Sequence, residues 1–285
     1  MSSITNFDWS LKDVSYVDLY ESLEKRYQVY SKAAKSLIEH SGLQKDSLVL
    51  DLGCGTGILL EEILKTSKPE NVFGLDISSA MLKKARQKVG SEIKLIKDDF
   101  TKIWKITKKF SYILSSFTFY YFLPKENWVF SEVFSHLTTG GLFTFNVTSY
   151  LREIKIGNEK QNSFFSDINE RLDVFLRREG LAGGIGKNLT PISADSSEIL
   201  EKKLFKSGFK KTKFRFSELP LTPFQAFKFT LEGFYSRGSR PTFSSTLCEL
   251  SVKVRTKLLY KFISKNKLYL NSLPRVKIIE VKAEV

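Results

Sequence analysis

Three glycines at alternate positions, Gly53, Gly55 and Gly57, follow an aspartate in the stretch Val49-Leu50-Asp51-Leu52-Gly53-Cys54-Gly55-Thr56-Gly57. Glycines at that spacing let the backbone turn sharply and approach a ligand closely. Val49 and Leu50, coming after the polar Gln44-Lys45-Asp46, read as the end of a buried parallel strand. Ile58 to Lys65 reads as a helix whose first amides point at whatever sits over the turn. A second carboxylate, Asp76, closes the next apolar run, Val72-Phe73-Gly74-Leu75, where it can take both hydroxyls of a ribose. The histidines, His40 and His136, fall at the end of an N-terminal helix and before the Gly140 turn, and neither is a convincing general base. Cys54 and Cys248 make no disulfide framework, and the chain has no Cys/His metal cluster.

The dinucleotide fingerprint is G-x-G-x-x-G, whereas this chain has G-x-G-x-G with an aspartate two residues before the first glycine. The segment DLGCGTG followed by GLDISSAMLKKAR resembles the first and second motifs of the class I S-adenosylmethionine (SAM) dependent methyltransferases. That resemblance implies SAM as cofactor and S-adenosylhomocysteine as product. It implies cofactor contacts from Asp51, Gly53, Cys54, Gly55, Asp76, Ile77, Met81, Ser115 and Ser116. It further places Asp99 at the adenine amine and Phe100 beside the ring. In the resembled family, N-terminal helices often close over the cofactor, so Tyr20 or Tyr27, from the set Tyr16, Tyr20, Tyr27 and Tyr30, is expected at the methionine end. Two departures stand out. Ser111 occupies a position where the family usually carries Asp, and Tyr120 and Tyr121 stand where paired histidines often occur.

These residues must be held by an α/β fold. Strands are predicted at Ser47–Leu52, Val72–Asp76, Ile93–Ile96, Tyr112–Ser115, Gly140–Val147, Lys210–Ser217 and Val276–Lys282, with helices between them. The expected architecture is a Rossmann-like, seven-stranded, mostly parallel sheet, the last strand antiparallel, with a helical cap or lid. Residues 1–44 form an N-terminal helical lid in this reading, and 45–150, 195–219 and 275–285 form the SAM-binding core. Residues 151–194 and 220–274 are an inserted cap that binds substrate. The cap's aromatic set includes Phe224, Phe227, Phe229, Phe234, Tyr235 and Phe243, and Arg237 and Arg240 flank a glycine where they can clamp a carboxylate or phosphate. The substrate-pocket candidates are Tyr120, Tyr121, Tyr235 and Arg237. Gly183-Gly184-Ile185-Gly186-Lys187 is a poor phosphate loop, with no preceding strand and no Ser or Thr directly after Lys187.

The net charge of +14 falls almost wholly in residues 151–285. Such an excess points to an anionic substrate, carrier, membrane surface or nucleic acid. A basic helix over 247–265 repeats Lys253, Lys257, Lys261 and Lys265 beside Leu250, Val254, Leu258 and Phe262, and could meet a membrane surface or an acidic carrier protein. The N-terminus has no basic start and no apolar core, and the longest apolar stretch, Tyr112 to Leu123, is too short to span a bilayer, so a cytoplasmic protein is expected. With no D/N-P-P-Y-type tetrapeptide after strand four, methylation of base or glutamine amino groups is disfavoured. The expected activity is methyl transfer to a small-molecule or peptide acceptor, an oxygen of a hydroxyl or carboxylate, with no stable nucleic acid partner. The alternatives are an RNA or DNA methyltransferase and a non-catalytic SAM-binding protein.

Overall fold

A computed structural model of the protein describes residues 14–118, 126–148, 166–181, 197–233, 247, 250–273 and 275–285. The chain divides into two compact units. The first takes in residues 8–147, 199–217 and 278–285, and the second takes in 1–7, 148–198 and 218–277.

The first unit is built on seven strands. They are β1 (Val49–Leu52), β2 (Val72–Asp76), β3 (Lys94–Lys97), β4 (Phe110–Ser115), β5 (Leu137–Thr148), β6 (Lys211–Glu218) and β7 (Lys277–Glu284), in the sheet order β3-β2-β1-β4-β5-β7-β6. The first five strands pair in parallel. β7 runs against its neighbours. Lys210 N donates to Glu284 O at 2.8 Å and Leu219 N to Val276 O at 2.7 Å, so β6 starts where β7 ends. Val285 N reaches Gly141 O at 3.1 Å, which sets the end of β7 beside the start of β5. The sheet is therefore the predicted one, with its last strand antiparallel.

Local sequence explains the placement of each strand. All four residues of β1 are buried, as a central parallel strand requires, and both of its faces are apolar around Asp51. β3 is an edge strand with an exposed lysine at each end, which blunts the open edge. β5 begins earlier than the predicted Gly140. Leu137 pairs with Phe110, the register shifts, and pairing resumes at Leu142 with Tyr112, so the two glycines form a bulge inside the strand. Phe143 on β5 is fully buried and stacks on Phe145 with ring centroids 4.9 Å apart. It also meets Phe130 and Phe209, each at 6.2 Å.

The helices of this unit are α1 (Val14–Tyr27), α2 (Val29–Ser41), α3 (Ile58–Ile63), α4 (Ser79–Val89), α5 (Glu126–Ser135) and, from its third residue on, α7 (Ser197–Lys206). α1 and α2 are separated by Gln28, whose left-handed backbone (φ 52°) breaks the run of helical periodicity. Glu24 accepts hydrogen bonds from Tyr30 N and Ser31 N, which covers two amides at the start of α2. α2 packs on α3, and α4 packs against α1 and α3.

The second unit holds α6 (Ser166–Arg178), α8 (Pro223–Gly233), α9 (Val252–Lys265) and α10 (Lys267–Ser272). Phe262 joins them, meeting Phe175 at 5.5 Å and Phe227 at 6.0 Å. The face that α9 buries differs from the predicted one. Arg255, Leu259, Phe262 and Ile263 are buried, whereas Val254 is 45% exposed. A strict four-residue spacing drifts by about 40° per step around a helix of 3.6 residues per turn, so Leu250, Val254, Leu258 and Phe262 cannot share one face. The helix also begins at Val252 and not at residue 247.

Phe143→Ala should destabilise the protein by about 3–5 kcal/mol, since a fully buried aromatic would leave a cavity among rings that cannot all close over it. Urea unfolding followed by circular dichroism measures this.

Candidate functional site

A small cleft, open to solvent, lies at the C-terminal ends of β1 and β4. Its floor is Asp51 with the glycine turn from Gly53 to Thr56, and its walls come from Tyr20 of α1, Tyr30 and Ala34 of α2, the start of α3, and Ser116 after β4.

The turn is fixed by backbone bonds. Gly53 N and Cys54 N both donate to Leu75 O, at 2.8 and 3.0 Å, and Gly57 N donates to Cys54 O at 2.9 Å. Gly53 has φ 82°, and a Cβ there would sit 2.3 Å from Thr118 Cγ2. Thr118 Oγ1 donates within reach of Gly53 O (3.2 Å) and Ser116 O (3.1 Å), so the exits of β1 and β4 touch.

Asp76 ties this turn to the next strand. Gly55 N donates to its Oδ2 and Ser78 N to its Oδ1, each at 2.8 Å. Burial raises its carboxyl above the ordinary range, and the amide bonds from Ser78, Gly55 and Ile77 oppose that rise. Asp51 is pushed up further, first by burial and then by repulsion from Asp76. It is 1% exposed, and its Oδ2 accepts no hydrogen bond among the described residues. The Cys54 thiol is raised too, by burial first and then by the charges of Asp51 and Asp76, so it stays protonated at neutral pH.

The aromatic wall is ordered. Tyr20 stacks on Tyr30 with centroids 4.2 Å apart and planes 19° from parallel, and Tyr30 meets the edge of Phe117 at 5.4 Å. Burial, followed by the neighbouring Tyr30, raises the Tyr20 hydroxyl. Phe117 has φ 54°, a strained left-handed conformation for an aromatic residue. Asn146 of β5, fully buried, holds it there: its Oδ1 accepts from Phe117 N at 2.8 Å, and its Nδ2 donates to Ser116 Oγ at 3.2 Å. On the opposite side Lys88 of α4 donates to Glu21 of α1 at 2.8 Å and to Thr56 Oγ1 at 3.3 Å, which fastens α1 beside the turn.

Of the residues expected from sequence, Tyr20, Asp51, Gly53, Cys54, Gly55 and Ser116 meet in the cleft wall. Ser115 is buried and donates to Leu52 O at 2.9 Å, bracing β4 on β1. Met81 is buried in the first turn of α4, its amide capped by Ser78. Asp99 and Phe100 follow β3, whose end lies beside that of β2, since Asp76 registers with Lys97 and Asp98 N donates to Asp76 O at 3.2 Å. They and Ile77 sit at the same sheet edge, outside the cleft lining. Tyr27 is buried at the end of α1 and also falls outside the lining. Tyr120, Tyr121, Tyr235, Arg237 and Arg240 lie outside the described residues.

Neither histidine lines the cleft. His136 is buried at the opposite end of the sheet, where its backbone O accepts from Phe110 N at the start of β4. His40 belongs to a separate cluster in which Arg215 bonds Glu280 at 2.6 Å and Ser36 Oγ at 3.0 Å, and burial lowers its pKa. Sequence reading missed Asn146. A lone amide inside the apolar run Phe143-Thr144-Phe145-Asn146-Val147 was the available signal.

An open sheet of this order, with a glycine turn after β1 and a carboxylate after β2, is the arrangement of a nucleoside-binding α/β domain. Comparison with known proteins agrees. Residues 49–141 match the family described as a methyltransferase domain. The chain is 34% identical to malonyl-[acyl-carrier protein] O-methyltransferase 2 of Ilyobacter polytropus, over 41% of this chain and 51% of that one. It thus spans about half the length of that relative. Among solved structures it is similar to the cyclopropane synthase MmaA2 of Mycobacterium tuberculosis, at 14% identity and TM-score 0.58, over 99% of this chain and 97% of that one. It is also similar to phosphoethanolamine N-methyltransferase 2 of Haemonchus contortus, solved with S-adenosyl-L-methionine, at 15% identity and TM-score 0.57, over 100% of this chain and 60% of that one. Those two likenesses are of fold. The chain carries a class I S-adenosylmethionine-dependent methyltransferase domain.

The state of Asp51 makes a testable demand. Its carboxyl titrates higher in the folded than in the unfolded chain. Its favourable contribution to stability is complete below the ordinary carboxylate range and is lost as pH rises through the raised value. Asp51→Asn should therefore stabilise the ligand-free protein at neutral pH by about 1 kcal/mol, with little gain in acid. Thermal melts at the two pH values read the difference.

Proposed function

We propose that this protein binds SAM in the glycine-turn cleft and transfers its methyl group to an oxygen, a hydroxyl or carboxylate, of a small metabolite, natural product or modified peptide. The observation that carries the reading is Asp51: a buried carboxylate in the cleft floor with one oxygen unpartnered and a second carboxylate close by. A ligand that brings an ammonium group relieves both conditions at once. The residues present fit the cofactor in other respects. Nothing lies within 4 Å of where a Cβ on Gly55 would sit, which leaves room for a close approach to its backbone, and Asp76 already faces the turn at the position suited to ribose hydroxyls.

When bound, SAM supplies a methyl group on a positively charged sulfur, already activated for displacement. The chain's task is then to position groups and exclude water. Asp51 takes the ammonium end and Asp76 the ribose. Tyr20 and Tyr30 supply a stacked, water-excluding wall, and Phe117 is held against it by Asn146. We assign acceptor recognition to the aromatic second unit and to Tyr120 and Tyr121.

The oxygen acceptor rests on two supports. Asp51 is the one carboxylate among the described lining residues, and no described histidine joins it. A carboxylate nucleophile needs no base at neutral pH. The malonyl-[acyl-carrier protein] relative is named as an O-methyltransferase. A reducing, cytoplasmic setting completes the proposal, in keeping with the free buried Cys54. No helix among the described residues is long and apolar enough to cross a membrane.

Calorimetry should give saturable binding of SAM and none of NAD. Asp76→Ala should weaken SAM binding by about 1.5–3 kcal/mol, the range for a hydrogen bond to a charged group. Binding of NAD in place of SAM would overturn the cofactor assignment. Radiolabelled SAM offered with panels of hydroxy and carboxylic acids, and separately with RNA and DNA, tests the acceptor. Label in nucleic acid, with salt-sensitive binding, would replace the small-molecule reading. SAM binding with no turnover on any panel would favour a protein that binds the cofactor without chemistry.

A further inference from the structure

From Ser251 to Leu273 the chain carries five lysines, Lys253, Lys257, Lys261, Lys265 and Lys267, and no acidic residue. All five are exposed on α9 and α10. α9 buries Arg255, Leu259, Phe262 and Ile263, so Lys253, Lys257 and Lys261 occupy the middle of its opposite face. The compensation is thin. Lys261 and Lys265 share one carboxylate, Glu179, while Lys253 and Lys257 form no ion pair among the described residues. A helix needs no such unbalanced stripe to stay folded. Like charges one turn apart oppose it.

Large apolar side chains stand in the open among these lysines. Val254 is 45% exposed, Tyr260 is 40% exposed, and Leu268 on α10 is 89% exposed. An exposed apolar set interleaved with lysines is the signature of an interfacial helix, where stems lie along the surface and heads reach the phosphates. The charge type also decides among anionic partners. Protein interfaces are enriched in arginine and depleted in lysine, because the guanidinium fork makes directed pairs. Here the single arginine of the segment is buried, and every exposed cation is a lysine. Point charges on flexible stems suit a smeared anionic surface that presents no fixed pattern of carboxylates.

We propose that the α9–α10 segment docks the protein on an anionic lipid bilayer, with the lysines over the phosphate headgroups and Leu268 and Val254 entering the interface. The docking is peripheral and reversible. It places the protein where a lipid-borne or membrane-concentrated acceptor is found, and it does not depend on the cofactor assignment.

Co-sedimentation with vesicles tests this. The full chain should bind vesicles of equal parts phosphatidylcholine and phosphatidylglycerol, should ignore phosphatidylcholine alone, and should be released by salt. The double substitution Lys253→Gln with Lys257→Gln should lower the partition coefficient roughly thirtyfold. Leu268→Ser alone should lower it about fivefold through loss of apolar insertion. Both changes fall on exposed positions, and circular dichroism confirms that the helices remain. Failure to bind the anionic vesicles at low salt would overturn the proposal. So would equal binding to soluble poly-glutamate or RNA with no effect of Leu268→Ser, an outcome that points to an acidic protein or a nucleic acid. Vesicle binding that survives loss of SAM binding in Asp76→Ala supports the docking independently of the function proposed above.

Discussion

The carboxylate of Asp76 is the fastening on which the site depends. It ends β2, yet it accepts a hydrogen bond from Gly55 in the turn after β1 and another from Ser78 at the head of α4. Two crossovers that would otherwise be separate loops are thereby joined at one residue. Each amide involved belongs to a turn or helix start that has no intrahelical acceptor for it. The carboxyl is held at a raised pKa even so, because burial outweighs the amides. The same residue thus fixes the loop geometry and stores an electrostatic cost.

That cost is compounded next door. Asp51 lies in the fully buried β1, and its charge and that of Asp76 oppose each other. A fold selected for stability alone has no use for two such carboxylates. A fold that must capture a cationic, hydroxyl-bearing ligand uses both, because binding removes the repulsion and the unmet hydrogen-bonding demand together. The strained Phe117 belongs to the same economy of local discomfort. Its left-handed backbone persists because Asn146 meets both Phe117 N and Ser116 Oγ from a rigid neighbouring strand.

Much of this was readable in the sequence, for reasons that are local. Period-two glycines, an apolar strand before them and a carboxylate after the next strand are each set by a few neighbouring residues, so β1, β2, α4 and its Ser78 cap were found within a residue or two. What escaped depends on residues distant in the chain. Asn146 reaches Phe117 across 29 positions, and Lys88 reaches Glu21 across 67. No window of local periodicity contains either contact. Tyr30 was seen as one of four packing tyrosines, but only the break at Gln28 decides that α2 turns Tyr30 toward Tyr20. The face of α9 was misjudged for a different reason. Four-residue repeats in lysine and in apolar residues suggested two clean stripes, while the true period of the helix lets both drift.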